Sequence, residues 1–161
     1  GSVTAGVLQR SPCPVVVTPL ELRAPTGRVV VGYDGSDVAG RALDWAAEQA
    51  GRLGAELVVA HAWKYPHRLT RDGSERSCDI ARLDAALVLE EGVRRARERT
   101  SAKVVQELVE GGAAQAMLDA SGTADLVVLG SRGRGGFRSM VLGSVTLAVT
   151  RHASCPVVVV Q

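Results

Sequence analysis

ADLVVLGSRGRGG, at residues 124–136, joins a short apolar run to a loop rich in glycine and arginine. The run at 126–129 contains no polar residue, which is typical of a parallel strand covered on both faces. In sheets of parallel strands, ligands bind beyond the carboxyl ends of the strands. The stretch therefore predicts an α/β fold whose functional site lies in the loop after this strand.

Similar apolar runs recur along the chain and alternate with segments of helical periodicity. The predicted strands are Val29–Gly32, Glu56–Trp63, Lys103–Val109, Asp125–Gly130 and Val157–Val160. The predicted helices are Ser36–Arg52, Ile80–Thr100, Ala113–Ser121 and Ser144–His152. The polar segment Lys64–Cys78 is predicted to be a mobile loop. This alternation indicates a parallel sheet with helices on both faces.

Composition excludes several classes of function. The chain has 161 residues, a net charge of +2 and only 3% aromatic residues, so we expect no nucleic-acid partner. No apolar run is long enough to cross a membrane, so no membrane partner is expected. The three cysteines have no metal-ligand spacing, and an odd count without a sign of secretion predicts reduced thiols and a cytoplasmic location.

The loop after residue 130 has the chemistry of an anion site. Gly130 and Gly133 are followed, after nine intervening residues, by Gly143-Ser144, which opens a predicted helix. Glycines allow backbone N–H groups to approach a ligand, and a helix start offers free N–H groups. The side chains expected to assist are the hydroxyls of Ser144 and Thr146 and the guanidinium groups of Arg132, Arg134 and Arg138. A flexible surface loop followed by an ordinary helix start is the alternative.

The spacing G-x2-G-x9-G-[ST], met by Gly130, Gly133, Gly143 and Ser144, resembles the ATP-binding signature of the universal stress protein family. The blocks VVVGYDGS, ELVVAHAW, ADLVVLGSRGRGGF, VLGSVT and ASCPVVVV also resemble the family's blocks, in the family's order. They span about Arg28 to Val160. The richness in arginine and alanine is similar to actinobacterial members.

The resemblance implies a five-stranded parallel sheet of order 3-2-1-4-5, of the Rossmann-like adenine nucleotide alpha hydrolase type. It implies ATP with Mg²⁺ across the carboxyl ends of strands one and four. The implied binding residues are Gly32, Tyr33, Asp34, Ala62, Leu129, Gly130, Arg132, Gly133, Gly143, Ser144, Val145 and Thr146. Asp34 is expected near the ribose or a phosphate-bound Mg²⁺. The alternative is a turn residue whose carboxylate accepts from the N–H of Ser36.

The function implied is a nucleotide-dependent regulatory module in the stress response, with an adenine nucleotide as its ligand. A slow ATP hydrolase or phosphotransferase is one alternative, and a scaffold with an empty nucleotide site is another. No catalytic residue is predicted, because no general base is evident in the sequence. Any ATPase activity is therefore expected to be weak.

Gly1–Val17 agrees with Gly143–Val159 at ten of seventeen positions. The resemblance therefore implies that residues 1–18 are the last helix and strand of a preceding domain. Residues 19–27 are then a linker and residues 28–161 a universal stress protein domain, as in a tandem protein. We expect Val15–Thr18 to dock as a strand against a sheet edge, beside Val157–Val160 of this chain or of a symmetry mate. Val157–Val160 is also the strand expected to mediate homodimer or tandem-domain pairing.

Overall fold

The computed structural model describes residues 2–21, 23–64, 75–135 and 142–161. Within them, helices and strands alternate along the chain. The helices are α1 (Ser2–Arg10), α2 (Asp37–Leu53), α3 (Glu75–Arg99), α4 (Ala113–Ser121) and α5 (Ser144–His152). The strands are β1 (Val15–Val17), β2 (Arg28–Gly32), β3 (Glu56–Trp63), β4 (Val104–Glu110), β5 (Leu126–Gly130) and β6 (Val157–Val160). No helix in these ranges is long and apolar enough to cross a membrane.

The strands form one sheet in the order β1-β6-β5-β2-β3-β4. The five strands from β2 to β6 run parallel, and strand order reverses between β2 and β5, which lie side by side. Such a reversal leaves a crevice at the carboxyl ends of the two central strands, because the connections from these strands depart in opposite directions. Two separate apolar clusters pack on the two faces of the sheet.

The sheet corrects one prediction and confirms another. It has six strands and is mixed, so the expected five-stranded, wholly parallel sheet is wrong in number and in direction. The added strand is β1, which pairs with β6 as expected for Val15–Thr18; its antiparallel direction was not part of the prediction. Valine-rich segments need burial, and the edge of β6 provides a partner for their backbone groups. Pairing of Val157–Val160 with another copy stays a prediction, and β1 would have to leave first.

Helix α2 shows how local sequence fixes an element. The Ser36 hydroxyl accepts a hydrogen bond from the Ala39 N–H, and Gly54 ends the helix with a φ of +61°. The helix face against the sheet consists of small residues and one leucine. These buried residues are Ala39, Gly40, Ala42, Leu43, Ala46, Ala47 and Ala50. Small side chains let the helix lie close to the valines of the central strands.

Helix α3 begins earlier than predicted. It starts at Glu75 rather than Ile80, so the predicted loop Lys64–Cys78 ends in helix. The rest of that loop, residues 65–74, lies outside the described residues. Polar residues at 75–79 carry no apolar periodicity, which explains why the sequence did not reveal this turn. Leu83 and Leu87, two apolar residues at helical spacing in the predicted helix Ile80–Thr100, are each 64% exposed.

The segment before β2 is tied to the sheet by one carboxylate. Asp125 accepts hydrogen bonds from the N–H groups of Thr26, Gly27 and Arg28 and from the Thr26 hydroxyl. Burial acts to raise the pKa of Asp125, but these hydrogen bonds outweigh it and hold the pKa below its usual value. The end of the predicted linker is therefore fixed to the start of β5.

Candidate functional site

A cleft of about 430 Å³ lies at the carboxyl ends of β2 and β5, where strand order reverses. All twelve residues predicted for the site line this one cleft: Gly32, Tyr33, Asp34, Ala62, Leu129, Gly130, Arg132, Gly133, Gly143, Ser144, Val145 and Thr146. They come from four parts of the chain that the parallel topology brings together.

The floor of the cleft is apolar and closely packed. A Cβ added at Gly32 would lie 2.7 Å from Leu129 Cδ2 and 3.1 Å from Met117 Sδ. These distances leave no room for a side chain at this position. Ala62 and Ala113 extend the apolar lining. This part of the cleft suits a flat, uncharged group.

Asp34 hydrogen-bonds both to the turn that follows β2 and to the glycine-rich loop that follows β5. Its Oδ1 accepts from the Ser36 N–H at 3.0 Å and from the Ser36 hydroxyl at 2.6 Å. Its Oδ2 accepts from the Arg134 N–H at 2.8 Å. The turn-residue alternative for Asp34 is therefore realised in the structure, with an added link to the glycine-rich loop.

Gly133 is required by this arrangement. A Cβ on Gly133 would lie 2.5 Å from Asp34 Oδ2, well inside van der Waals contact. A side chain would push the loop away from Asp34 before it met any ligand. Glycine thus allows the loop to approach the carboxylate, in addition to any approach to a phosphate.

The start of α5 lines the cleft, and no side chain among the described residues caps its first turn. Gly143 occupies the cap position and has no side chain to satisfy the N–H groups of the first turn. The Gly143 N–H itself donates to the Ser131 carbonyl at 2.8 Å, which anchors the helix start to the end of β5. The first turn therefore presents N–H groups and the positive end of the helix dipole to the cleft.

The two hydroxyls on α5 differ in environment. Ser144 is exposed and lines the cleft. Thr146 is 3% exposed, and its hydroxyl donates to the Gly130 carbonyl at 2.8 Å. A hydroxyl has a single hydrogen to donate, so the expectation that Thr146 offers a hydroxyl donor to a ligand is wrong. Its hydroxyl instead fixes α5 against β5.

The side chain of Tyr33 is directed into the fold. Its ring packs on Gly92 of α3, where an added Cβ would lie 2.6 Å from the ring, and its hydroxyl donates to Glu91 at 2.8 Å. Burial and the Glu91 carboxylate raise the pKa of Tyr33 to about 12. The phenol therefore stays neutral at physiological pH and links the end of β2 to α3.

The charged side chains at the mouth of the cleft are basic. Arg132 and Arg134 are exposed and line the opening, whereas Arg138 lies outside the described residues. Exposed guanidinium groups near free N–H donors favour an anionic ligand. Asp34 is the one carboxylate in the lining of the described residues, and hydrogen bonds occupy both its oxygens.

The sequence did not single out several lining residues as site residues. These are Ala39, Ala60, His61, Ala113, Met117 and Gly135. His61 Nδ1 lies 2.7 Å from the Tyr33 carbonyl, which is the environment of a packing histidine. The positions of Ala113 and Met117 follow from topology, because α4 starts beside the carboxyl ends of the strands. Because ligands bind at the carboxyl ends of parallel strands, this position in the fold could have identified Ala113 and Met117 as lining residues.

A magnesium ion would have few protein ligands here. Within the described ranges, no three His, Cys, Asp or Glu residues cluster as a metal site would require. Mg²⁺ bound with a nucleotide needs only one or two carboxylates, because phosphates and water complete its shell. Asp34 fits such an ion only if its hydrogen bonds to the two loops are exchanged for the metal.

The chain is similar to proteins of one family. The profile described as "Universal stress protein family" matches residues 25–161. Universal stress protein Rv2005c from Mycobacterium tuberculosis is 36% identical over 169 residues, covering 100% of this chain and 56% of that protein. Universal stress protein Rv1996 from the same organism is 35% identical over 177 residues, covering 100% and 53%. The chain thus spans about half the length of these curated relatives.

Solved structures with the same architecture include nucleotide complexes. A universal stress protein in complex with cAMP has a TM-score of 0.66 and 27% identity, covering 83% of this chain and 96% of that chain. The Archaeoglobus fulgidus protein in complex with dAMP has a TM-score of 0.63 and 27% identity, covering 88% and 100%. Another universal stress protein from Archaeoglobus fulgidus has a TM-score of 0.63 and 29% identity. The match covers 98% of this chain and 52% of that chain. The chain described here belongs to the universal stress protein family.

Proposed function

We propose that the cleft binds an adenine nucleotide, with ATP and Mg²⁺ as the physiological ligand. The observation that carries the proposal is the pairing, in one cleft, of an apolar floor with a helix start that no described side chain caps. Leu129, Met117 and Ala62 suit a base, and the first turn of α5 suits phosphates. The cAMP and dAMP complexes of similar proteins support an adenine nucleotide.

In this proposal the backbone supplies the phosphate contacts. The N–H groups of Ser144, Val145 and Thr146 begin α5, and Ser144 adds a hydroxyl. Arg132 adds charge at the mouth of the cleft. Gly32 keeps the floor free of a side chain beside Leu129 and Met117, whereas Gly130 lets the end of β5 pack closely on the start of α2, since a Cβ there would lie 2.9 Å from Val38 Cγ1. Bound Mg²⁺ would neutralise phosphate charge, and Asp34 is the carboxylate available to it.

The role proposed is regulatory binding rather than turnover. Hydrolysis needs a group that orients the attacking water. Among the described residues of the cleft, the carboxylate of Asp34 is already engaged by Ser36 and Arg134, and His61 faces the Tyr33 carbonyl. We therefore expect slow hydrolysis at most. Occupancy would be transmitted through Asp34 to the glycine-rich loop and through Tyr33 to α3.

Isothermal titration calorimetry of the full chain with ATP, with and without Mg²⁺, tests the proposal. ADP, AMP and cAMP vary the phosphates that α5 would hold, and GTP changes the base while keeping the triphosphate. Saturable heat with adenine nucleotides is expected, and equal affinity for GTP would show that the cleft does not select adenine. Absence of heat up to millimolar ATP would favour an empty scaffold domain. A phosphate-release assay then separates a binding module from a hydrolase.

A further inference from the structure

Helix α3 carries apolar residues on two opposite sides. Its inner side packs into the fold through buried residues that include Leu89 and Val93. On its outer side, Ile80 is 56% exposed, and Leu83 and Leu87 are each 64% exposed. Their spacing of three and four residues places these three side chains in one row, the outer stripe. Single exposed apolar residues are ordinary, whereas a continuous row on one helix is typical of a surface that binds a partner.

Four carboxylates border the outer stripe and form an acidic rim. Because an α-helix turns by about 100° per residue, Asp79 and Glu90 fall on one side of the stripe, and Asp84 and Glu91 fall on the other. All four residues are exposed. None of the ion pairs formed by the described residues involves any of these carboxylates. The rim therefore gives both sides of the stripe a negative charge.

The basic residues that come next on α3 are paired with other carboxylates. Arg94 forms an ion pair with Glu98 at 2.6 Å, and Arg95 forms one with Asp44 at 2.8 Å. These two guanidinium groups are therefore engaged away from the rim. An apolar centre with a charged border is the pattern of a surface that takes an amphipathic helix.

We propose that the outer stripe and the acidic rim of α3 are a docking surface for an amphipathic helix of a partner protein, one whose apolar row is flanked by lysine or arginine. The apolar row would pack on Ile80, Leu83 and Leu87, and the basic flanks would pair with the rim. Charge complementarity selects this occupant, because a second copy of α3 would bring four more carboxylates to the same contact. The proposal is independent of the ligand of the cleft, since none of these residues lines it.

Fluorescence anisotropy of a labelled synthetic peptide with the full chain tests the proposal. The probe is a helical peptide of about 18 residues, with leucine at positions i, i+3 and i+7 and lysine along both flanks of that row. Saturable binding is expected, and it should weaken as salt is added, because salt screens the exposed charges. A peptide of the same composition in scrambled order should bind at least about tenfold more weakly. Absence of saturable binding of the probe up to about 1 mM would overturn the proposal.

The Leu83→Ser/Leu87→Ser variant tests the outer stripe. It should weaken binding of the lysine peptide by about tenfold or more, because two of the three apolar contacts are lost. Leu53→Ser is the matched control, since Leu53 is 65% exposed but belongs to another helix, α2. The control should bind the peptide as the original chain does. Equal affinity of the stripe variant and the original chain would contradict the proposal, as would equal affinity for the scrambled peptide.

The Asp84→Lys/Glu90→Lys variant tests the acidic rim by reversing one charge on each side of the stripe. Glu91 is left in place because it accepts the Tyr33 hydroxyl. The variant should lose affinity for the lysine peptide and gain affinity for a peptide with glutamate in place of lysine. An unchanged preference for the lysine peptide would overturn the proposal. Self-association of the original chain that Leu83→Ser/Leu87→Ser abolishes, measured by sedimentation, would assign the surface to a second copy instead.

Discussion

The Oδ2 atom of Asp34, at the end of β2, accepts a hydrogen bond of 2.8 Å from the backbone N–H of Arg134, one hundred residues later in the chain. This bond closes the glycine-rich loop onto the carboxyl end of the neighbouring strand. Gly133 lies at the same contact, because its Cβ position is 2.5 Å from the same oxygen. Asp34 and Gly133 therefore act as one unit that sets the position of the loop.

Replacing Asp34 with alanine should weaken ATP binding by about tenfold, equivalent to about 1.4 kcal/mol, because the loop loses its attachment. If Asp34 acts through the loop, calorimetry will give equal losses with and without Mg²⁺. Asp37→Ala is the matched control, since it removes a nearby carboxylate at the start of α2. A loss seen only with Mg²⁺ would instead identify Asp34 as a metal ligand.

Gly133→Ala should reduce ATP affinity by about tenfold or more, because a methyl group at this position strikes Asp34 Oδ2. The fold should survive, since Gly133 is exposed. Gly135→Ala is the control, because a Cβ there meets no atom of the described residues within 4 Å.

The double variant Asp34→Ala/Gly133→Ala identifies the cause of the Gly133 effect. Removal of the carboxylate also removes the clash, so the two losses should be less than additive. Fully additive losses would show that Gly133 acts by approaching the ligand rather than Asp34.

The strands and the cleft could be predicted from the sequence because they depend on local patterns. Uninterrupted valine and leucine runs identify strands buried on both faces, and glycines at their ends identify the loops. The structural roles of the Tyr33 and Thr146 side chains could not be predicted, because they depend on contacts between segments that are distant in the sequence. Tyr33 packs on Gly92 and Thr146 bonds to Gly130, and no spacing in the sequence encodes either contact. The periodicity of α3 indicates a helix, but which side of it is buried depends on the elements that pack against it. The buried side carries Leu89, Val93 and Ala96.

The raised pKa of Tyr33 predicts that the protein loses stability in alkaline solution. Its pKa is raised from 10.0 to about 12 in the folded chain, so the folded state holds the phenolic proton more tightly than the unfolded state. This stabilising contribution is complete below pH 10 and is lost as the pH rises toward 12. Urea denaturation between these pH values should show the decline.

The Tyr33→Phe variant is the reference for that measurement. It should be less stable near neutral pH by about 1 kcal/mol, because the hydrogen bond to Glu91 is lost. It should also lose less stability than the original chain as the pH rises. If both proteins decline in parallel above pH 10, Tyr33 is not the group responsible.

Substitutions at Ser144 and Thr146 should affect ATP affinity and the free energy of unfolding separately. Thr146→Val keeps the shape of the side chain but leaves the Gly130 carbonyl without its donor, so it should cost about 1–3 kcal/mol in the free energy of unfolding. Ser144→Ala removes an exposed hydroxyl and should leave the stability within about 0.5 kcal/mol of the original. Its ATP affinity should fall severalfold, whereas the folded Thr146→Val variant should bind ATP nearly as the original chain does. Urea denaturation and calorimetry on both variants provide the test. A stability loss for Ser144→Ala together with unchanged ATP affinity would mean that the start of α5 does not hold the phosphates through this hydroxyl.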